Sequence, residues 1–443
     1  MNRPQGIPKD KSIIMGSIAS IGARLTSVVT MVLATGIAAR VMTKEEFGLW
    51  IIFISIMFIA ANFDLGFRFG LGNRLAAQVA LSGGIPSLKH KELYLSIFYL
   101  QIAISLIGII VGFFLSQCIS WEFVLKIHQP ALIENIKFLI FSVFGLILLN
   151  LPLSIVGSGF FAFQEVNLAC YLSAAQVIIQ LILFWISTRI FPFKGMLIIY
   201  FLTPLITGSL FTAYFLKRRG WTMSWIPLHI IKRNIGSLAQ RSLEFFVLSL
   251  SSTIVTSVST ILAGSIAGLS AAGDFDLVKK IFGLLVTGHL ALLSPLAPAY
   301  TKAAQMGDWV WVKNKLRFCR YVLWPIIFIA AAGMIYIFHP MILKVWSGRN
   351  LHDYTLAGLL ALVAVLSGWG NTQSVLLNSL GLVKWQAVAS IVMAPLFIFL
   401  PLYFGKFWNV TGIAFGTLIC MIPGTFIWPL YASFALRKRL LRV

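Results

Sequence analysis

The chain is predicted to be an all-α integral membrane protein of about twelve transmembrane helices arranged as two six-helix lobes. Three observations carry this. Hydrophobic residues make up 59% of the 443 and charged residues 11%, whereas a soluble domain is roughly half apolar and a quarter charged. Mean hydropathy is +0.92, and apolar runs long enough to cross a bilayer recur along the whole chain. Because those runs are continuous and not alternating, a β-barrel is excluded. The two halves also echo each other, as set out below.

In order, the expected spans are 13–41, 47–80, 93–118, 133–160, 166–190, 195–216, 236–267, 275–301, 318–342, 354–379, 385–404 and 410–435. Met1 to Lys11 is polar and basic, and the apolar segment after it is too long for a signal-peptide core. Loops on the side of the N-terminus hold twenty-one lysines and arginines against eleven on the other side. The positive-inside rule therefore places both termini in the cytoplasm. The net charge of +22 is spread over these loops, so no nucleic-acid partner is expected. Cys118, Cys170, Cys319 and Cys420 are isolated, with no metal-ligand spacing, and fit as small apolar fillers.

A basic loop, 217–235, separates an N-lobe (1–216) from a C-lobe (236–443). At a constant offset of 228, Gly36 matches Gly264, Ala39 matches Ala267, Glu46 matches Asp274, Phe47 matches Phe275 and Leu49 matches Leu277. Six spans per lobe give both copies one orientation, which predicts a pseudo-two-fold along the membrane normal and a substrate site at midplane.

Charges inside the spans cost about 2.5–3.5 kcal/mol each on insertion scales, so each needs a reason to be there. Asp64 and Arg68 share a helix face at i, i+4; Arg68 is either neutralised by Asp64 or lines an anion-accepting cavity. Arg74 points elsewhere, to the cytoplasmic headgroups or to the same cavity. Arg24 sits mid-helix beside Thr26 and Ser27 with no acid in helical reach, and is expected to face water or substrate. Arg241 and Glu244, three apart, either satisfy each other or line the cavity. Of Lys279 and Lys280 only one can face inward. A carboxylate with amide oxygens (Asp64, Glu244, Asn371 and Asn378) suits a coupling Na⁺ or proton, although interhelical hydrogen bonds explain the amides equally well. His289 is either a proton relay or a hydrogen-bonded core histidine.

Hydrolytic chemistry has no footing. No phosphate-binding Gly-rich lysine loop, HExxH or strand-borne G-x-S-x-G is present. No catalytic residue, metal site or bound cofactor is expected.

Taken together, these marks resemble a polysaccharide flippase of the O-antigen (Wzx) type, in the superfamily that also holds multidrug MATE exporters. The residues that carry the resemblance run over the whole chain: Ala39-Arg40-Val41-Met42-Thr43-Lys44-Glu45-Glu46-Phe47-Gly48, Asp64-Leu65-Gly66, Asn378-Ser379-Leu380-Gly381-Leu382-Val383-Lys384 and Asn409-Val410-Thr411-Gly412-Ile413-Ala414. The resemblance implies a MATE-like V-shaped fold. It also implies alternating-access movement of an undecaprenyl-pyrophosphate-linked oligosaccharide to the periplasmic leaflet of a bacterial inner membrane. Arginines on the first, second and seventh helices would bind the pyrophosphate, and Arg24, Arg68, Arg74 and Arg241 fall there. The partners it implies are the lipid-linked substrate, membrane lipids, a polysaccharide polymerase and a chain-length regulator, with H⁺ or Na⁺ as coupling ion and a monomeric state. The rival is a cation-coupled efflux pump, which would want acids in the cavity; here intramembrane Arg24, Arg68 and Arg241 face only Asp64 and Glu244.

Overall fold

A computed structural model describes residues 10–382 and 384–440, and all regular structure among the described residues is helical. The first half runs α1 (Asp10–Val41), α2 (Lys44–Ala60), α3 (Phe67–Leu81), α4 (Leu88–Cys118), α5 (Trp121–Val124), α6 (Pro130–Leu149), α7 (Leu151–Ser154), α8 (Val156–Ala162), α9 (Val166–Ile190) and α10 (Phe193–Arg218). The second runs α11 (Leu228–Ala267), α12 (Leu269–Leu293), α13 (Leu296–Gln305), α14 (Trp309–Phe318), α15 (Ala331–Ser347), α16 (Tyr354–Ser379) and α17 (Lys384–Leu440). Among the described residues nine helices are long and apolar enough to cross a membrane, or ten when the bent pair Ser242–Ser251 and Thr256–Ala267 counts as one span. The expected twelve is not reached on this measure. The four-charge helix α12 falls outside it, and the last two spans merge into Val388–Lys438. Within that run Trp408 and Asn409 leave helical φ/ψ, at the turn expected between 404 and 410.

Several spans expected to be continuous are broken, each for a local reason. The 47–80 segment stops after α2 in a 3₁₀ turn, Ala61–Asp64, and restarts as α3. Leu65 and Gly66 both take left-handed conformations, with φ 51° and 74°. The Asp64 carboxylate accepts the Gly66 N–H at 2.8 Å, and the Asn62 amide turns back to the Phe58 carbonyl. These side chains satisfy backbone groups that the break leaves open, as a non-helical stretch at membrane depth requires. The expected 318–342 span begins as two π-helical turns, Cys319–Leu323 and Pro325–Ala330. Pro325 lacks the N–H an α-helix would use there.

The chain divides into two compact units. The first comprises Met1–Met42 and Phe53–Leu250; the second comprises Thr43–Ile52 and Ser251–Val443. In the first, Tyr94, Phe160, Phe163, Phe215 and Trp221 form an aromatic cluster. Arg219 lies over the Phe215 and Phe163 rings at 3.9 and 4.2 Å and meets Glu165 at 2.8 Å. Burial there pulls its pKa below the ordinary arginine value, while the Glu165 carboxylate opposes the shift. Desolvated cation–π contacts of this kind are worth about 2 kcal/mol. They fix the chain as it enters the basic loop.

In the second unit the start of α2 packs closely on the start of α12. A Cβ on Gly273 would meet the Phe47 ring at 2.7 Å, and one on Gly48 would sit on the Leu269 backbone. Small residues permit this approach, and between apolar helices in lipid such packing supplies the attraction.

Candidate substrate-binding residues

Within the first unit, the break in the second span sets the position of its charges. Asp64 is buried at the N-terminus of α3, held from behind by Gln101, whose Nε2 donates to the Asp64 carbonyl at 3.0 Å. Its carboxylate is occupied by the Gly66 N–H and stands 3.7 Å from Arg68 Nε. That separation allows Coulomb attraction but no hydrogen bond. The Arg68 side chain stays 40% exposed, with its guanidinium 5.5 Å from the Phe69 ring centroid. Arg74, two turns on and exposed, donates from Nη1 to the Ser237 carbonyl at 3.1 Å. It thereby ties α3 to α11.

Arg24 lies on an exposed stretch of α1. Neighbouring Thr26 and Ser27 turn their hydroxyls back to the Gly22 and Ala23 carbonyls. No acid pairs with Arg24 among the described residues. Arg241 stands on α11, but its side chain lies outside the described residues, and so does any pairing with Glu244. Glu244 itself is exposed.

Within the second unit, Lys279 and Lys280 are both half-buried and point to different partners. The Lys279 ammonium donates to the Thr256 carbonyl, to Ser259 Oγ at 2.9 Å and to Thr260 Oγ1 at 3.2 Å. Thr260 in turn donates to Asp276 Oδ1 at 3.1 Å. Lys280 meets Asp276 Oδ2 at 2.7 Å and lies 5.8 Å from the Trp50 ring centroid. Two residues before Asp276, Asp274 binds Arg349 at 2.8 Å, and that guanidinium covers Phe47 at 4.4 Å. Asp274 and Asp276 thus each hold a basic partner within the second unit. The i, i+4 spacing of Asp276 and Lys280 was the available signal; the roles of Thr260 and Arg349 needed the tertiary fold.

Asn371 is half-buried and Asn378 exposed on α16. Beside them a buried arginine went unnoticed in the sequence. Arg320, on the π-helical stretch, donates from Nε and Nη2 to Gln373 Oε1 at 2.9 and 2.6 Å. It also donates from Nη1 to Ser433 Oγ at 3.1 Å and from Nη2 to the Pro429 carbonyl at 3.2 Å. No cluster of three or more His, Cys, Asp or Glu suited to a metal ion occurs among the described residues. Among the large aromatic residues, Trp50, Phe67 and Tyr300 are core side chains, and Phe63 is exposed.

Residues 11–303 match the model of the family described as polysaccharide biosynthesis protein. The chain belongs to that family. Among solved structures it is similar to a multidrug resistance MATE family transporter of the MOP superfamily in its inward-facing conformation, with TM-score 0.70, 16% identity and coverage of 95% of this chain and 99% of that one. The outward-facing conformation of a MATE transporter of that superfamily gives 0.63 at 15% identity, over 99% and 98% of the two chains. A MOP superfamily transporter from Pyrococcus furiosus gives 0.62 at 13% identity, over 96% of each. No curated protein matches the chain. At these identities the structural likeness establishes the fold: a multi-pass, all-helical membrane protein built like MATE transporters.

Proposed function

We propose that this polysaccharide biosynthesis family member is a flippase. It moves an undecaprenyl-pyrophosphate-linked oligosaccharide, an O-antigen or similar repeat unit, from the cytoplasmic to the periplasmic leaflet of a bacterial inner membrane by alternating access. Both termini face the cytoplasm, lobes 1–216 and 236–443 are related by a pseudo-two-fold across the 217–235 loop, and H⁺ or Na⁺ drives the cycle. Arg24, Arg68, Arg74 and Arg241 bind the pyrophosphate, with Lys279 and Lys280 adding to the positive field. Asp64, Glu244, Asn371 and Asn378 are the coupling-ion set. The protein acts as a monomer and meets a polymerase and chain-length regulator through its product; it is not an enzyme.

The supporting observation is an imbalance of committed charge in the first unit. The buried Asp64 carboxylate is spent on its own backbone turn, Arg68 remains 40% exposed beside it, and no acid pairs with Arg24 among the described residues. A guanidinium fork left available in an apolar setting suits phosphate oxygens, which it binds bidentately. An organic cation would be repelled. The Pyrococcus furiosus relative is itself described by a binding pocket of reverse polarity that suggests a different function. The test is genetic. A deletion strain complemented with wild type, Arg24→Ala or Arg24→Lys is assayed for surface glycan and for lipid-linked oligosaccharide on each leaflet. Wild type restores the glycan, Arg24→Ala strands the intermediate on the cytoplasmic side, and lysine rescues in part. Surface glycan unaffected by deletion, with new sensitivity to cationic dyes, would replace the flippase by an efflux pump.

A further inference from the structure

His289 lies near the end of α12 with none of its surface exposed, and neither ring nitrogen has a hydrogen-bond partner. Of the two readings the sequence left open, the hydrogen-bonded core histidine thus finds no protein partner among the described residues. Its nearest aromatic is Phe328, edge-on at a centroid distance of 4.7 Å. Phe328 sits on the π-helical turn Pro325–Ala330 and is fully buried against Gly368 of α16. A fully buried imidazole with two orphaned nitrogens is costly and unusual. It lies against a helix form that is rare and enriched at functional positions.

The charged surroundings sharpen the point. On its own helix Asp274, Asp276, Lys279 and Lys280 lie at least nine residues towards the other end, roughly 13 Å along the axis at 1.5 Å per residue. The π-helical stretch carries Cys319, Arg320 and Tyr321, with Arg320 already bound to Gln373. On α15 the titratable groups are Tyr336, His339 and Lys344, and His339 is bound through Nδ1 to the Tyr336 carbonyl. Helix α16 offers only Tyr354. Helix α17 offers Lys384, Tyr403, Lys406, Cys420, Tyr431, Arg437, Lys438 and Arg439. The π-helical stretch, α15, α16 and α17 carry no Asp or Glu. An imidazolium at 289 would have two N–H donors and no carboxylate to meet them.

We propose that His289 is a proton-binding site of the second unit, and that charging its ring displaces the π-helical stretch against which it packs. The proton comes from water when the site opens, bonds to a ring-nitrogen lone pair, and returns to water when the site next opens. The closed arrangement accommodates the neutral ring alone, so protonation shifts the population towards an arrangement that supplies water or backbone acceptors. Phe328, packed edge-on to the ring, is the side chain that must move. As the coupling step of translocation, the site rests on the flippase reading; as a protonation switch it does not.

The experiment uses the full chain in lipid nanodiscs, with deuterium exchange corrected for the intrinsic pH dependence of amide exchange and compared at pH 8 and pH 5.5. Wild-type peptides covering 319–330 are expected to lose about tenfold in protection at the lower pH, the signature of a local opening. His289→Phe and His289→Gln should match wild type at pH 8 and lose the response, and His339→Phe should keep it. No response in wild type, or a response retained in both His289 variants, overturns the proposal. A second arm follows a fluorescent polyprenyl-pyrophosphate disaccharide in vesicles of phosphatidylethanolamine and phosphatidylglycerol. Coupling requires that an imposed proton gradient speed wild type and not His289→Phe; a gradient effect that survives the substitution removes the coupling role. If wild type fails to move the probe while the exchange response stands, the flippase reading falls and the proton site remains.

Discussion

The Cβ that alanine would place on Gly48 falls 1.8 Å from the carbonyl oxygen of Leu269, so the start of α2 rests directly on the backbone that opens α12. Backbone cannot step aside as a side chain end can. Gly48→Ala is expected to exceed the about 1–3 kcal/mol typical of overpacking and to lower the Tm of the purified protein. Gly145→Ala, with nothing within 4 Å of its Cβ, should leave Tm unchanged in the same thermal-unfolding assay.

Asp64 has two separable jobs, and substitution divides them. Asn keeps an oxygen for the Gly66 N–H; Ala leaves that buried donor unpaired, at about 1–3 kcal/mol. Asp64→Ala should therefore unfold earlier than Asp64→Asn by several degrees. If Asp64→Asn is stable yet fails in translocation, its charge acts on Arg68 or on the coupling ion. If it is both stable and active, its role is confined to the turn.

The Asp276–Lys280 pair has side chains only 9% and 15% exposed. Breaking such a pair from one side costs about 3–5 kcal/mol, because a charge stays buried without its partner. Asp276→Leu should be strongly destabilising, and adding Lys280→Met should restore most of the loss. A double-mutant cycle in thermal unfolding measures this; additive losses would show that the two side chains do not act on one another.

Arg320 uses both edges of its guanidinium on Gln373, Ser433 and Pro429. Lysine keeps the charge without the fork. Arg320→Lys should cost about 2–3 kcal/mol, in the range of hydrogen bonds to charged groups, and loosen 319–330 in hydrogen exchange at every pH. Retained protection there would mean that the π-helical turns are held by apolar packing alone.

The helical membrane architecture was legible because it rests on composition and run length, both local properties. The break at Asp64–Leu65–Gly66 left a trace as well: a carboxylate two residues before glycine is a turn former. That trace was overlooked because the i, i+4 spacing to Arg68 suited an uninterrupted helix. Lys279 illustrates the limit. Its partners Thr256, Ser259 and Thr260 lie about twenty residues away on another helix, and nothing in the sequence gives their rotation towards it. Arg320 was counted with the loop charges because Gln373, the group that makes its burial tolerable, stands 53 positions later.

The assignment of Thr43–Ile52 to the second unit, with Phe53–Leu250 in the first, makes the two units partly interleaved along the chain. The basic loop from Lys217 to Arg233 lies wholly inside the first unit, so cutting it would not release two independent bodies. An amino-terminal fragment ending there would still own ten residues of the other body's core, and the carboxy-terminal fragment would own Leu228–Leu250 of the first. Each fragment would thus be born with an empty slot shaped for the other. Separately expressed halves should be poor folders alone and obligate mates together, as in a heterodimer formed by strand exchange.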